Sequence, residues 1–175
     1  MSRPTRRAAA AAPTATQPDA PPLLSAVALA TFKLNGQLLA VAEDLSRPAG
    51  LTAARWQVLG AVLPRPLTVA GIAREMGITR QSVQRTADLL VEAGLSEYRP
   101  NPAHRTAKLV APTDAGLTAI GRISPAHGRF AERLAGELPI EDFAAIADAL
   151  RRLSAALDRL EGQARSPVAE AAQPA

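Results

Sequence analysis

The fold is decided by residues 68–94, which read TVAGIAREMGITRQSVQRTADLLVEAG. Thr68 and Thr79 each stand before an apolar pattern with helical spacing, so both are predicted N-caps. Gly77 supplies a left-handed turn after the first of these helices, and Gly94 ends the second. The spacing therefore predicts two helices joined by a tight turn, the arrangement of a helix-turn-helix.

The residues that follow predict a β-hairpin. Residues 95–99 and 106–111 roughly alternate between apolar and polar side chains. Residues 100–102, Pro-Asn-Pro, have the composition of a turn between the two strands. A hairpin directly after a helix-turn-helix makes a winged helix.

The remaining predicted elements are helices, so the predicted fold class is mainly α with a small β-hairpin wing. A short helix begins after Thr52, and longer helices cover residues 23–46 and 115–162. In the second range, one helix begins at Thr113 and is interrupted at Pro125, and a last helix starts near Pro139. The final helix has apolar residues at spacings of three and four, a seam typical of a helix packed lengthwise on another helix. The seam residues are Phe143, Ile146, Leu150, Leu153, Leu157 and Leu160. We interpret them as core or dimer interface.

The two ends of the chain have a different composition. Residues 1–22 contain five prolines and a run of five alanines, which predicts a disordered basic arm. Residues 163–175 are predicted to be a flexible tail, which leaves residues 23–162 as one domain. No uninterrupted run of about 18 apolar residues is present, and no signal-peptide core follows Arg6 and Arg7. We therefore expect a cytoplasmic protein with no membrane partner.

Charge and composition narrow the functional class. The chain has no cysteine, which excludes disulfides, thiolate metal sites and thiol chemistry. Its net charge is +4, and residues 52–111 hold eight Lys and Arg against four acidic residues. A basic segment between neutral and slightly acidic flanks is typical of a unit that binds a polyanion.

The second helix of the helix-turn-helix presents polar residues that could contact DNA. Its free face carries Arg80, Gln81, Ser82, Gln84 and Arg85. Amide groups can read base edges in the major groove, whereas hydroxyl and guanidinium groups reach phosphates. The alternative is a merely solvated helix face, but the adjoining turn and hairpin favour DNA binding.

Residues 51–116 resemble the winged helix-turn-helix of MarR-family transcriptional regulators. The resemblance is carried by TRQSVQR at 79–85 and by the Gly-Leu at 94–95 that leads into the wing. It implies a homodimer through helices 23–46 and 115–162, a pseudo-palindromic double-stranded DNA operator, and repression that a small molecule relieves. The candidate DNA contacts are Thr79, Arg80, Gln81, Ser82, Gln84, Arg85, Arg99, His104 and Arg105.

The wing departs from the pattern of the family that it resembles. That wing usually holds an Asp-x-Arg pair, in which the carboxylate orients the arginine toward the minor groove. Here residues 101–106 read NPAHRT, and the Asp is absent. We predict that Arg105 still enters the minor groove, with a smaller contribution to affinity because it is less preorganised. His104 is a candidate phosphate contact or an exposed loop histidine with no role.

The resemblance also implies an effector pocket between the DNA-binding lobe, residues 52–111, and the dimer helices. The predicted lining is Leu34, Leu38, Trp56, Ile123 and His127, which is largely apolar. Such a lining fits a small hydrophobic or aromatic ligand. Trp56 also fits a core anchor, and His127 also fits a histidine bonded to a neighbour at the dimer seam. Because the chain has no cysteine, oxidation is not the expected trigger.

No motif for catalysis, cofactor binding or metal binding is present. The sequence has no GxGxxG, P-loop, HExxH or GxSxG, and two histidines without a thiol cannot form the usual metal triads. The acid pairs at residues 43–44 and 141–142 sit at predicted helix ends, where acids stabilise helix dipoles or act as caps. We therefore expect a DNA-binding regulator with no enzymatic activity. The alternative is a winged helix used for protein interaction or for non-specific, nucleoid-associated DNA binding.

Overall fold

A computed structural model describes residues 19–170, which form a mainly helical structure with a small sheet. The helices are α1 (Ala20–Ser46), α2 (Ala53–Val62), α3 (Val69–Met76), α4 (Arg80–Glu92), α5 (Asp114–Glu137) and α6 (Ile140–Glu170). The strands are β1 (Leu67–Thr68), β2 (Ser96–Arg99) and β3 (Leu109–Pro112), and a 3₁₀ turn (Arg47–Ala49) connects α1 to α2. The predicted fold class, helices with a small β-hairpin wing, is confirmed.

Four helices begin at threonine N-caps, and the sequence predicts three of these caps, at Thr52, Thr68 and Thr79. Every one of these threonines accepts a hydrogen bond through Oγ1 from a backbone N–H in the first helical turn, at 3.0–3.3 Å. Each bond satisfies a donor that the helix itself leaves unpaired. The caps are Thr52, Thr68, Thr79 and Thr113. Gly77 and Gly94, at φ 64° and 69°, provide the predicted left-handed turns.

The sheet has one strand that the sequence did not reveal. Its order is β1-β3-β2, with both pairs antiparallel. Val110 of β3 lies between Leu67 of β1 and Tyr98 of β2. Strand β1 has only two residues, too few to show an alternating pattern, yet it fixes the wing beside the start of α3.

The core of the lobe is aliphatic and joins α2, α3, α4, β3 and α5. Its fully buried members include Val58, Leu59, Val62, Ile72, Val83, Leu90, Val110 and Ile123. The start of α5 comes very close to the connection between α4 and β2, because the Thr113 hydroxyl donates to the Gly94 carbonyl at 2.6 Å. At Gly116 a Cβ would collide with the Leu95 carbonyl oxygen, so only glycine fits there.

Two helix boundaries and one predicted interruption differ from the structure. Helix α1 starts at Ala20, inside the predicted arm, with Pro21 and Pro22 in the first turn, where a missing N–H costs nothing. Helix α6 continues to Glu170, within the predicted tail; residues 163–165 there are Gln, Ala and Arg, all good helix formers, whereas Pro167 is not. The predicted interruption at Pro125 is wrong: helix α5 continues through Pro125 to Glu137, because a proline removes only one backbone hydrogen bond of this 24-residue helix. The rest of the predicted arm and the last residues of the tail lie outside the described residues.

Helix α1 and the turn after it are long and apolar enough to cross a membrane, judged by length and composition alone. Residues 20–49 have a mean hydropathy of 1.4 over an 18-residue window. The sequence analysis expected no membrane-spanning segment, because no uninterrupted run of about 18 apolar residues is present. The mean hydropathy of a window can still be high when a few polar residues interrupt the apolar ones. The interruptions are Lys33, Asn35 and Gln37, polar groups that are costly inside a bilayer. The C-terminal part of α1 packs against α2 and α5.

Candidate nucleic-acid interface

Helix α4 turns its predicted polar face to solvent. Val83, Ala87 and Leu90 are fully buried, and their spacing fixes the rotation of the helix about its axis. The predicted DNA contacts of α4 are consequently all exposed: Arg80, Gln81, Ser82, Gln84 and Arg85. The start of a helix presents free backbone N–H groups as well, which favours an anionic partner.

Two of the predicted α4 contacts also build the helix cap. Thr79 Oγ1 accepts the backbone N–H of Ser82 at 3.1 Å and donates its own hydrogen to Ser82 Oγ at 2.9 Å. The Thr79 hydroxyl is therefore occupied within the cap, whereas the Ser82 hydroxyl hydrogen remains able to donate to a phosphate.

The wing tip carries the other predicted contacts. Asn101 folds the tip, since its Oδ1 accepts from the Ala103 N–H at 3.0 Å and its carbonyl accepts from the His104 N–H at 3.2 Å. This confirms the predicted turn chemistry. His104 and Arg105 are exposed beyond the turn.

A groove of about 630 Å³ separates the start of α4 from the wing. Arg80, Gln81 and Gln84 line one wall, and Tyr98 with residues 106–108 line the other. The side chains of Arg80, Arg85 and Arg105 make no hydrogen bond or ion pair within residues 19–170. Helix and wing thus form one exposed face with three available guanidinium groups.

A hydrogen-bonded triangle ties the wing to α4 across this groove. Gln84 Nε2 donates to Tyr98 OH at 2.8 Å and to Asp88 Oδ1 at 2.9 Å, and Tyr98 OH donates to Asp88 Oδ1 at 2.6 Å. Lys108 Nζ lies 6.0 Å from the centre of the Tyr98 ring, within reach of a cation–π interaction.

The Tyr98 hydroxyl stays protonated in this arrangement. Burial, the hydrogen bond to Asp88 and the charge of that carboxylate raise the pKa of Tyr98 to about 12. The hydroxyl is therefore a donor to Asp88 throughout the physiological pH range.

The sequence profile of the MarR family matches residues 49–105, from the 3₁₀ turn to the wing tip. The chain belongs to the MarR family. A protein of Mycobacterium tuberculosis is 41% identical to it over 126 residues, which span 72% of this chain and 88% of the relative.

Solved structures of other proteins share the fold. CouR from Rhodococcus jostii, bound to p-coumaroyl-CoA, is 25% identical with a TM-score of 0.61, over 73% of this chain and 91% of CouR. The M. tuberculosis regulator MosR, in complex with DNA, is 19% identical with a TM-score of 0.64, over 76% of this chain and 96% of MosR. As a member of this family, the protein is a DNA-binding transcription regulator.

One predicted contact of this MarR-family protein lies apart from the others. Because side chains alternate along β2, Glu97 and Arg99 face away from Tyr98 and hence from α4. Arg99 Nε donates to Glu97 Oε1 at 2.6 Å. The structure therefore places Arg99 outside the groove, paired with a carboxylate.

Sequence reasoning missed Tyr98, Asp88 and Lys108. Tyr98 and Asp88 act through contacts between α4 and the wing, and Lys108 acts through its contact with Tyr98 within the wing. No spacing along the chain reveals these contacts. The available signal was the single tyrosine of an aromatic-poor chain, located in a wing strand.

The predicted effector residues are only partly brought together. The Trp56 and His127 rings meet edge to face, with centroids 5.8 Å apart and planes at 84°. Ile123 is only 1% exposed and belongs to the core. Leu34 and Leu38 lie on the exposed part of α1, where Leu34 faces a groove shared with α6. Within residues 19–170 no cluster of three His, Asp or Glu side chains is arranged to hold a metal ion.

Proposed function

We propose that this MarR-family protein is a homodimeric, sequence-specific repressor that leaves its operator when a small hydrophobic or aromatic molecule binds. The observation that carries the proposal is the exposed face around the α4–wing groove. Arg80, Arg85 and Arg105 there have no partner within the described chain, and guanidinium groups of this kind bind phosphates and base edges.

The contacts on this face divide by chemistry. The Gln81 amide makes no hydrogen bond within residues 19–170, so it can pair bidentately with adenine and select sequence. Ser82, Arg85 and Arg105 mainly contact the phosphate backbone and the minor groove of the DNA. These contacts add affinity but select little sequence. His104 extends the wing-tip contact to phosphate.

Exposed apolar surface on α1 and α6 supports the homodimer. Leu24, Leu29 and Phe32 of α1 are 63–72% exposed, an unusual environment for large apolar side chains in a lone subunit. The seam of α6 is exposed as well, with Ile146, Leu150, Leu157 and Leu160 at 41–62%. An apolar groove of about 380 Å³ runs between the two helices, next to Val27, Leu34 and Leu153. A second copy covers this surface, and its two-fold symmetry requires a pseudo-palindromic operator.

The junction of the lobe with α5 supports effector control. Trp56 on α2 contacts His127 on α5, so a ligand wedged beside this pair alters the angle between the lobe and the dimer helices. The related CouR structure holds p-coumaroyl-CoA, an aromatic acyl thioester. By analogy, we propose that a small aromatic molecule is the effector of this protein. We also propose that the protein acts in the cytoplasm, at the nucleoid.

A binding selection tests the proposal. The full chain is incubated with random DNA duplexes, and affinity for the selected sequence is compared with that for a scrambled one. We expect a preference of at least about 10³-fold. Gln81→Ala relaxes one base position, whereas Arg85→Ala weakens all sequences and reduces the salt dependence. Equal affinity for all duplexes would indicate a non-specific nucleoid-associated protein, and no DNA binding would indicate a protein-interaction module.

A further inference from the structure

We propose that Tyr98 is a positioning residue, which holds the Gln84 amide so that α4 offers DNA only a carbonyl oxygen at this position. The inference rests on the proposed function, because it concerns how the same face reads sequence. It changes the role expected for Gln84, an amide that would otherwise both donate and accept.

The direction of each hydrogen bond in the triangle is fixed by chemistry. The Asp88 carboxylate can only accept, so both Tyr98 OH and Gln84 Nε2 must donate to it. Tyr98 OH has then used its only hydrogen and can only accept from Gln84 Nε2. The amide nitrogen of Gln84 is consequently turned toward the wing, and Oε1 is left without a partner among residues 19–170.

The tyrosine itself is held from three sides. Its backbone pairs with Val110 in the middle of the sheet, Lys108 lies over its ring, and its hydroxyl bonds to α4. Because these contacts belong to the wing and to α4 together, the orientation of Gln84 follows the position of the wing.

The held amide reads bases differently from a free one. A free glutamine pairs with adenine by donating to N7 and accepting from the N6 amino group. With its nitrogen engaged, Gln84 can only accept, and an amino group is presented in the major groove by both adenine and cytosine. Guanine and thymine offer acceptors there, so Gln84 rejects them but does not separate adenine from cytosine.

Base selection by variants tests this inference. The full chain and Gln84→Ala are each used to enrich random duplexes, and the base position whose preference Gln84→Ala loses is the one that Gln84 reads. We expect the wild-type protein to accept adenine and cytosine there within about threefold, since an acceptor alone contacts both.

Tyr98→Phe keeps the ring and removes the hydroxyl, and Asp88→Ala removes the other anchor. Each variant should gain a preference for adenine over cytosine of at least about fivefold, the low end of a bidentate contact. Glu97→Gln, on the opposite face of β2, is the matched control and should leave the preference unchanged. If Tyr98→Phe fails to fold, Asp88→Ala by itself tests the inference.

The outcomes separate the inference from the proposed function. An adenine preference already present in the wild-type protein, or no change in either variant, overturns the role of Tyr98 while sequence-specific binding stands. If Gln84→Ala keeps every base preference of the wild-type protein, the role of Tyr98 is overturned as well. If the wild-type protein enriches no sequence, the proposed function itself fails.

Discussion

The Glu43 carboxylate of α1 accepts a hydrogen bond from the backbone N–H of Ala53 at 2.8 Å, at the first residue of α2. A negative charge at this position complements the positive end of the helix dipole. The helix that we propose for dimerisation thus directly caps the first helix of the DNA-binding lobe. The sequence-based interpretation of this acid as a helix-end residue is confirmed.

Glu43→Ala should lower the free energy of unfolding by about 1 kcal/mol, because it removes a cap and its charge together. Urea denaturation of the two proteins measures the difference. Asp44→Ala is the control, since Asp44 forms only an exposed ion pair with Arg47 and should change stability by less than about 0.5 kcal/mol. Equal losses for both variants would contradict the cap.

Gly116→Ala should destabilise the protein by about 1–3 kcal/mol, because the new methyl group meets the Leu95 carbonyl. Gly121→Ala on the same helix has open space around its Cβ and should be neutral or stabilising by up to about 1 kcal/mol. Thermal unfolding distinguishes the two. Similar melting temperatures for both variants would show that α5 can shift away from the carbonyl.

Leu150→Arg or Leu157→Arg should convert a dimer into monomers or aggregate, because a charge then replaces an apolar contact at the α6 seam. Light scattering coupled to size-exclusion chromatography measures the mass. Ala155→Arg places the same charge on the opposite side of α6, where the dimer should persist. Folded dimers in the seam variants would locate the interface elsewhere.

Raising the pH from about 10 to 12 should lower the free energy of unfolding of the protein. The pKa of Tyr98 is raised to about 12 in the folded protein, against an ordinary value near 10. The unfolded chain therefore loses this proton first, so the stabilisation is complete below pH 10 and declines as the pH rises toward 12. Because the chain has a single tyrosine, phenolate absorbance follows Tyr98 alone.

Asp88→Asn should lower the pKa of Tyr98, since it removes the carboxylate charge that disfavours the phenolate. Glu92→Gln, on the same helix, is the control and should leave the titration unchanged. Circular dichroism at each pH verifies that the wild-type protein is still folded. An identical titration in both variants would exclude the bond to Asp88 in solution.

An aromatic effector should bind more weakly to the operator complex than to the free protein, by the same factor by which it weakens DNA binding. Titration of candidate aromatic compounds against both forms measures the two factors. Peroxide should not release the DNA, because the chain has no cysteine to oxidise. Equal affinity for both forms would refute this mode of release.

The parts of the fold that depend on near neighbours in sequence could be predicted. The caps at Thr52, Thr68 and Thr79 bond to residues three positions away, and Gly77 needs only its own φ, so local composition contains the information. Strand β1 could not be predicted in this way, because its pairing with β3 joins residues far apart in the chain.

The same distinction between local spacing and long-range packing applies to the candidate site. The exposed face of α4 follows from helical periodicity, which places Arg80 and Arg85 opposite Val83 and Leu90. The attachment of Gln84 to Tyr98 depends instead on how the wing packs against α4, and the pairing of Arg99 with Glu97 depends on which face of β2 points inward. Neither can be obtained from spacing along the chain.

Trp56 is the single tryptophan of the chain, and it contacts His127 where α2 meets α5. The chain therefore carries one intrinsic fluorophore, at the joint between the lobe and α5. Indole emission depends on the groups around the ring, so a change in the angle between α2 and α5 alters its intensity and wavelength. Movements of the lobe can thus be recorded optically in the unlabelled protein, and compound collections can be screened by emission before any operator sequence is identified.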